Sequence, residues 1–104
     1  MRTVKIQEEY KVAVGVPYDV ALTCYKILPL AELVLEKGNS NAKTDALIAV
    51  MCARTAVLSA LYNVKINLNS IKDLSYVEEM KKNVKKLEVD TIAYENRILS
   101  ETKL

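Results

Sequence analysis

The sequence has no histidine, no tryptophan and no phenylalanine, and its six aromatic residues are all tyrosine. Without histidine, Ser–His and Cys–His nucleophile systems, His-ligated zinc and a His general base are excluded together. Any proton transfer must come from Asp, Glu, Lys, Tyr or Cys. Glycine and proline number two each, so there is no glycine-rich phosphate loop and there are few enforced helix stops. C-x-x-C, H-E-x-x-H and calcium-loop spacings are absent too, and no metal site is expected. Charge is nearly balanced, 15 basic against 13 acidic residues for a net of +2, which gives no electrostatic case for nucleic acid or an anionic membrane. The two cysteines, Cys24 and Cys52, sit in apolar runs and read as buried free thiols in a reducing compartment. Met1 is followed by Arg2 and mixed polar residues, not by an apolar leader core, so the expected location is cytoplasmic.

What is present is helical periodicity. The stretch Thr44 to Leu68 contains no glycine and no proline. At helical spacing it sorts into a small or polar face, Asp45, Ala49, Cys52, Ala53, Ala56, Ser59, Ala60, Asn63 and Asn67, and a bulky face, Leu47, Val50, Met51, Val57, Leu58, Leu61, Val64 and Leu68. A helix this apolar on both sides requires cover on both sides. It is long enough to consider as a membrane span, but Asp45, Arg54, Asn63 and Lys65 argue against one. With few other helices available to cover Leu47, Val57 and Leu61, an oligomer is expected.

The flanking segments complete an all-α reading for one helical unit spanning residues 1–104. The opening stretch to Val16 fits both strand and helix spacing; the lack of a strand partner favours a short N-terminal helix. Gly15-Val16-Pro17 marks a boundary, with a second helix over Pro17 to Lys37 and a seam at Val20, Cys24, Ile27, Ala31 and Val34. Pro29 predicts a kink near Cys24 to Leu28, and Gly38 a left-handed cap. The long helix starts within Asn41 to Thr44, with Asp45 in its first turn. The last helix is capped by Ser75 with Glu78, or by Asp73 one turn earlier, and carries the seam Val77, Met80, Val84, Leu87, Thr91, Tyr94 and Ile98. The expected architecture is an up-and-down bundle of three long helices plus the shorter N-terminal one.

Candidate chemistry is sparse. Glu8-Glu9, Glu78-Glu79 and the lysines 81, 82, 85 and 86 read as solvated, mutually paired charge. Asp45, Asn63 and Asn67 are more informative, because they share the small face with alanines that let a neighbouring backbone or a flat ring approach. Asp45 and Asn63 lie roughly 27 Å apart along the helix, too far for one small ligand. End-capping and ligand-facing roles both stay open.

These residues carry a resemblance. Val16-Pro17, Glu36-Lys37-Gly38-Asn39-x-Asn41, Thr44-Asp45-Ala46, Ala53-Arg54 and Asn63-Val64-Lys65-Ile66-Asn67-Leu68-x-Ser70-Ile71-Lys72-Asp73 resemble the formiminotetrahydrofolate cyclodeaminase and methenyltetrahydrofolate cyclohydrolase family, over nearly the whole chain. The resemblance implies an all-helical, dimeric, cytosolic, cyclodeaminase-like fold. Its members either expel ammonia from 5-formiminotetrahydrofolate to close the 5,10-methenyl ring, or open that ring with water. It implies a tetrahydrofolate derivative as substrate, no permanently bound cofactor, and Asn39, Asn41, Asp45, Arg54, Asn63 and Asn67 lining or supporting the folate cleft. None of these is implied as a catalyst. The family's P-G-G-G-S segment and the acidic residue assigned to proton transfer do not occur here, so the chain looks like the carboxy-terminal half of the domain. Two expectations follow: part of a folate-dependent enzyme whose other half comes from another polypeptide, or a truncated member kept as a helical dimerisation scaffold; a homo-oligomer or a pairing with an amino-terminal-half chain is expected.

Overall fold

The computed structural model describes residues 2–104; Met1 lies outside the described residues. Four helices follow one another: α1 (Arg2–Tyr25), α2 (Ile27–Lys37), α3 (Ser40–Leu68) and α4 (Leu74–Glu101). There is no strand among the described residues. The α1–α2 rod runs up, α3 returns beside it and α4 runs up again, in a bundle 59 Å long and 17 × 16 Å across. The all-α, up-and-down expectation holds. The short element is α2, not the N-terminal helix, because the chain breaks ten residues later than the glycine and proline suggest.

The reason lies in the two prolines. Pro17 sits inside α1, where it removes the donor that the Ala13 carbonyl needs. Asn67 supplies a substitute: its Nδ2 donates to Ala13 O at 3.4 Å, and α1 passes through Gly15 and Pro17 unbroken. Pro29 falls in the first turn of α2, where a missing N–H costs nothing. The helix is interrupted just before it, at Lys26, whose N–H tightens onto Thr23 O at 3.2 Å. The kink therefore falls where Pro29 predicts it.

Gly38 does not take a left-handed conformation; its φ of −81° and ψ of 162° are extended. Its requirement is space. A Cβ there would lie 2.5 Å from Val34 O and 2.9 Å from the Ala42 side chain. Asn39 is the cap of α3, its Oδ1 accepting from Ala42 N at 3.0 Å. Asp73 caps α4, with Oδ1 accepting from Tyr76 N at 3.2 Å. Gln7 then ties the start of α1 to the α3–α4 turn, donating to Ser70 O and accepting from Lys72 N at 3.2 and 2.8 Å.

The core has two parts. Val14 and Ala21 of α1 meet Val57, Leu61, Val64 and Leu68 of α3 and Val84 and Leu87 of α4. Leu28 and Ala31 of α2 meet Leu47, Val50 and Ala53 of α3 and Ile98 of α4. Tyr25 belongs to both, edge-on to Tyr94 with centroids 6.1 Å apart. The α4 seam is as expected, with Val84, Leu87, Thr91 and Ile98 buried.

Two expectations need correction. Leu47, Val57 and Leu61 are buried within this single chain, because α1, α2 and α4 all pack on α3; they are not the uncovered surface that calls for a partner. In the α1–α2 rod, the inward seam is Val14, Tyr18, Ala21, Tyr25, Leu28, Glu32 and Leu35, largely one position away from the expected one. Val20, Ile27 and Val34 face outward instead. By length and composition α3 could cross a membrane, yet its Leu/Val side is occupied by its three neighbours.

Candidate functional site

The small face of α3 meets the outward edge of the α1–α2 rod, and two open grooves form along the junction. The larger, about 630 Å³, is walled by Ala13, Val16, Pro17 and Val20 of α1 and by Ala56, Ser59, Ala60, Asn63 and Asn67 of α3. Alanines at 56 and 60 keep the floor shallow, and no titratable side chain lines it. Asn63 is exposed at its rim. Asn67 contributes from a half-buried position while its amide holds Ala13 O. The second groove, about 440 Å³, lies at the other end, between Ile27, Leu30, Ala31 and Val34 of α2 and Ala42, Asp45, Ala46 and Ala49 of α3.

Asn63 and Asn67 thus come together, and Asp45 stands apart from them in the second groove. Asp45 is exposed in the second turn of α3 and caps nothing, because Asn39 takes that role. Asn39 and Asn41 stay with the first turn, both exposed. Arg54 turns the opposite way, toward α4, where its Nε lies 3.5 Å from Glu95 Oε1. Glu95 is buried there, next to the fully buried Thr91. Cys24 is half-buried and Cys52 exposed on the small face, so the expectation of two buried thiols fails for Cys52.

A third, polar hollow of about 240 Å³ lies between α2 and the end of α4, lined by Glu32, Glu36, Lys43 and Glu101 among others. Glu32 is committed within the fold: its Oε2 accepts from Arg97 Nη1 at 2.6 Å and its Oε1 from the Tyr94 hydroxyl at 2.7 Å. The Arg97 guanidinium, with the tyrosine hydroxyl, holds the Glu32 carboxyl below its ordinary range. Burial beside Glu32 pushes the Tyr94 phenol up, and Arg97 is shifted further upward by the same carboxylate. This cluster fastens α2 to α4. Glu32 lies 62 and 65 residues from its two partners in sequence, and no local pattern announces the cluster.

Sequence reasoning also missed the α1 wall of the large groove. The signal was available in the outward positions Ala13, Val16 and Val20, one register from the seam that packs inside.

With this geometry in view, the chain can be set beside known proteins. Residues 1–86 match the family model described as formiminotransferase-cyclodeaminase. The methenyltetrahydrofolate cyclohydrolase of Methylorubrum extorquens is 37% identical over 102 residues, which is 98% of this chain and 49% of that protein. The formimidoyltransferase-cyclodeaminases of Rattus norvegicus and Gallus gallus are each 30% identical over 86 residues, 83% of this chain and 16% of theirs. The chain therefore spans about half the length of the cyclohydrolase and a smaller share of the animal proteins. A matched segment that includes all of α1, α2 and α3, with both grooves, and an identity of 37% that runs on through α4 lead to one conclusion: the chain belongs to the formiminotransferase-cyclodeaminase family.

Proposed function

We propose that the chain supplies the folate-holding half of a one-carbon cyclohydrolase or cyclodeaminase site, and that the proton-transfer group comes from another polypeptide or segment. The observation that carries this reading is the large groove itself. It is apolar, flat-floored and edged by the Asn63 amide, suited to a planar ring that needs hydrophobic contact and a few amide hydrogen bonds. The cyclohydrolase relative acts on methenyltetrahydrofolate, as its name states. Ring opening by water and ring closure with loss of ammonia both require proton transfer near the imino carbon, and the groove has no group to perform it. Asn63 would orient the substrate, Ser59 would extend the polar rim, and the α1 wall would exclude water. We infer a reduced folate as ligand, no permanently bound cofactor or metal, and a cytoplasmic setting.

Isothermal titration of tetrahydrofolate and of 5,10-methenyltetrahydrofolate into the purified protein tests the reading. Titrations run alone and with an added polypeptide carrying the family's P-G-G-G-S segment. Saturable heat in either arm supports it, and Asn63→Ala should weaken binding about tenfold, as loss of one or two hydrogen bonds does. No heat in both arms overturns it.

The engagement of Asn67 with Ala13 favours a second reading, in which the retained asparagine serves the scaffold alone. Measurable ring opening by the protein by itself would exclude that reading.

A further inference from the structure

The two grooves lie along one junction, between the α1–α2 rod and α3, and they stop short of each other. Val20 and Ala56 wall the large groove, and Ile27 and Ala49 wall the smaller one. The rod and α3 run antiparallel, so four residues on from Val20 and four back from Ala56 stand Cys24 and Cys52. Three residues back from Ile27 and three on from Ala49 reach the same pair. Face agrees with level, because a step of seven residues returns a helix to nearly the same side. Cys24 is seven positions from both Pro17 and Ala31, and Cys52 is seven from both Asp45 and Ser59, all four of which line the grooves. The two cysteines of the chain thus form the saddle between the grooves, one on each wall.

We propose that Cys24 and Cys52 are a reversible redox pair that closes into a disulfide across this saddle when a peroxide reaches the protein. Alanines at 49, 53, 56 and 60 keep this side of α3 low, which lets the rod approach to an interaxial separation of about 8 Å. Facing Cα atoms then fall within the roughly 4.4–6.8 Å that a disulfide spans. Exposure assigns the two roles: Cys52 is exposed, and Cys24 is half-buried against the core. The Cys52 thiolate attacks one peroxide oxygen and breaks the O–O bond, leaving a sulfenic acid on Cys52 and releasing hydroxide, which takes a proton to become water. The Cys24 thiolate then attacks the Cys52 sulfur, so that the S–S bond forms, the S–O bond breaks and a second hydroxide leaves as water. Two thiols and one peroxide give one disulfide and two waters, the two sulfurs losing the two electrons that the peroxide gains. A small thiol reductant reverses the step by exchange.

The bridge falls beside the interruption of the rod at Lys26, whose N–H turns to Thr23 O. With both thiols reduced, that joint is held to α3 by packing alone. With the bridge closed, the joint is tied covalently to the middle of α3, and both grooves are fixed in width at their common end. Reversible closure of this kind suits a reducing compartment, where disulfides are transient and sense oxidants rather than staple a fold.

The test is exposure of the full chain to hydrogen peroxide, from equimolar to about tenfold excess, followed by thiol alkylation, intact-chain mass spectrometry and electrophoresis under denaturing, non-reducing conditions. The expected result is loss of both thiols with a fall in mass of about 2 Da, in a chain that still runs as a single polypeptide and regains both thiols with dithiothreitol. Amides from Tyr25 to Leu28 should exchange about tenfold more slowly in the oxidised chain. Cys24→Ser should stop the reaction at a Cys52 sulfenic acid, trapped by dimedone, and Cys52→Ser should leave Cys24 reduced under the same exposure. Circular dichroism should show both variants folded, because neither thiol is fully buried. Oxygen gained at a cysteine without formation of the bridge overturns the proposal, as does a disulfide that joins two chains or a pair of thiols that stays reduced. Unchanged exchange at Tyr25 to Leu28 in the bridged chain overturns the hold on the joint. The readout uses no folate, so its failure is separable from failure of the folate reading.

Discussion

The side chain of Asn67 holds the backbone carbonyl of Ala13, 54 positions earlier, at 3.4 Å. That carbonyl is the one Pro17 deprives of its helical donor, so a residue of α3 completes the hydrogen bonding of α1. Asn67→Ala should destabilise the protein by about 1 kcal/mol, read as a fall in Tm of roughly 4–8 °C for a chain of this size. In a Pro17→Ala background the helix regains its own donor, and the same change should then cost little. Equal losses in both backgrounds would show that Asn67 acts through something other than this carbonyl.

The two glycines should respond in opposite directions. Gly15 lies in the interior of α1 with nothing within 4 Å of a new Cβ, so Gly15→Ala should stabilise by about 0.5–1 kcal/mol. Gly38→Ala would drive its Cβ against Val34 O and Ala42 and should cost about 1–3 kcal/mol, as overpacking does. Chemical denaturation midpoints of the two variants check both signs.

Thr91 is fully buried in α4 and its Oγ1 has no hydrogen-bond partner. Thr91→Val keeps the shape and removes the unsatisfied hydroxyl, and should stabilise by about 1 kcal/mol. Arg54→Ala should destabilise, because Glu95 would remain buried without its cation. Thermal melts that moved the other way would reassign the environment between α3 and α4.

Stability should fall in acid partly through Glu32. Its carboxyl in the folded chain titrates below the ordinary value of 4.5, chiefly through the hydrogen bond from Arg97. A carboxyl lowered in this way adds stability that is complete above the ordinary value and is lost as pH drops through the folded value. Asp73, lowered by Lys11 and by the Tyr76 amide, adds to the same slope. Glu32→Gln should be less stable than the parent at neutral pH and should show a shallower loss between neutrality and pH 3. At the alkaline end, Tyr94 is raised above its ordinary 10.0 by burial and by Glu32. Its contribution is complete below that value and disappears as pH rises through the folded one, and Tyr94→Phe should remove that decline.

How much of this was readable from residues alone depended on how many faces of each helix are apolar. The last helix has a single apolar face, and its seam was legible as written; of its two candidate caps the structure uses Asp73, and Ser75 with Glu78 lies already inside the helix. The α1–α2 rod has apolar residues at neighbouring registers, Val20 beside Ala21, Ile27 beside Leu28, Val34 beside Leu35. Periodicity established the helix there without saying which seam turns inward. Gly15 and Pro17 read as a boundary because a proline's local effect is to break a helix; the compensating amide is remote in sequence and was invisible to local reasoning. For the candidate site, Asn63 and Asn67 share a groove as their spacing suggests. The separation of Asp45 from them was legible from helix geometry, whereas the turn of Arg54 toward Glu95 depends on where α4 lies.

The central place of α3 has a consequence for how the chain comes apart. The α1–α2 rod and α4 meet each other at a few points and meet α3 along most of their lengths. Detaching α3 would expose both parts of the core at once, and no pair of the remaining helices retains enough shared surface to persist. Amide hydrogens in the middle of α3, around Val57 and Leu61, should therefore exchange only when the whole molecule opens. A chain wired through one helix has no stable portion smaller than itself.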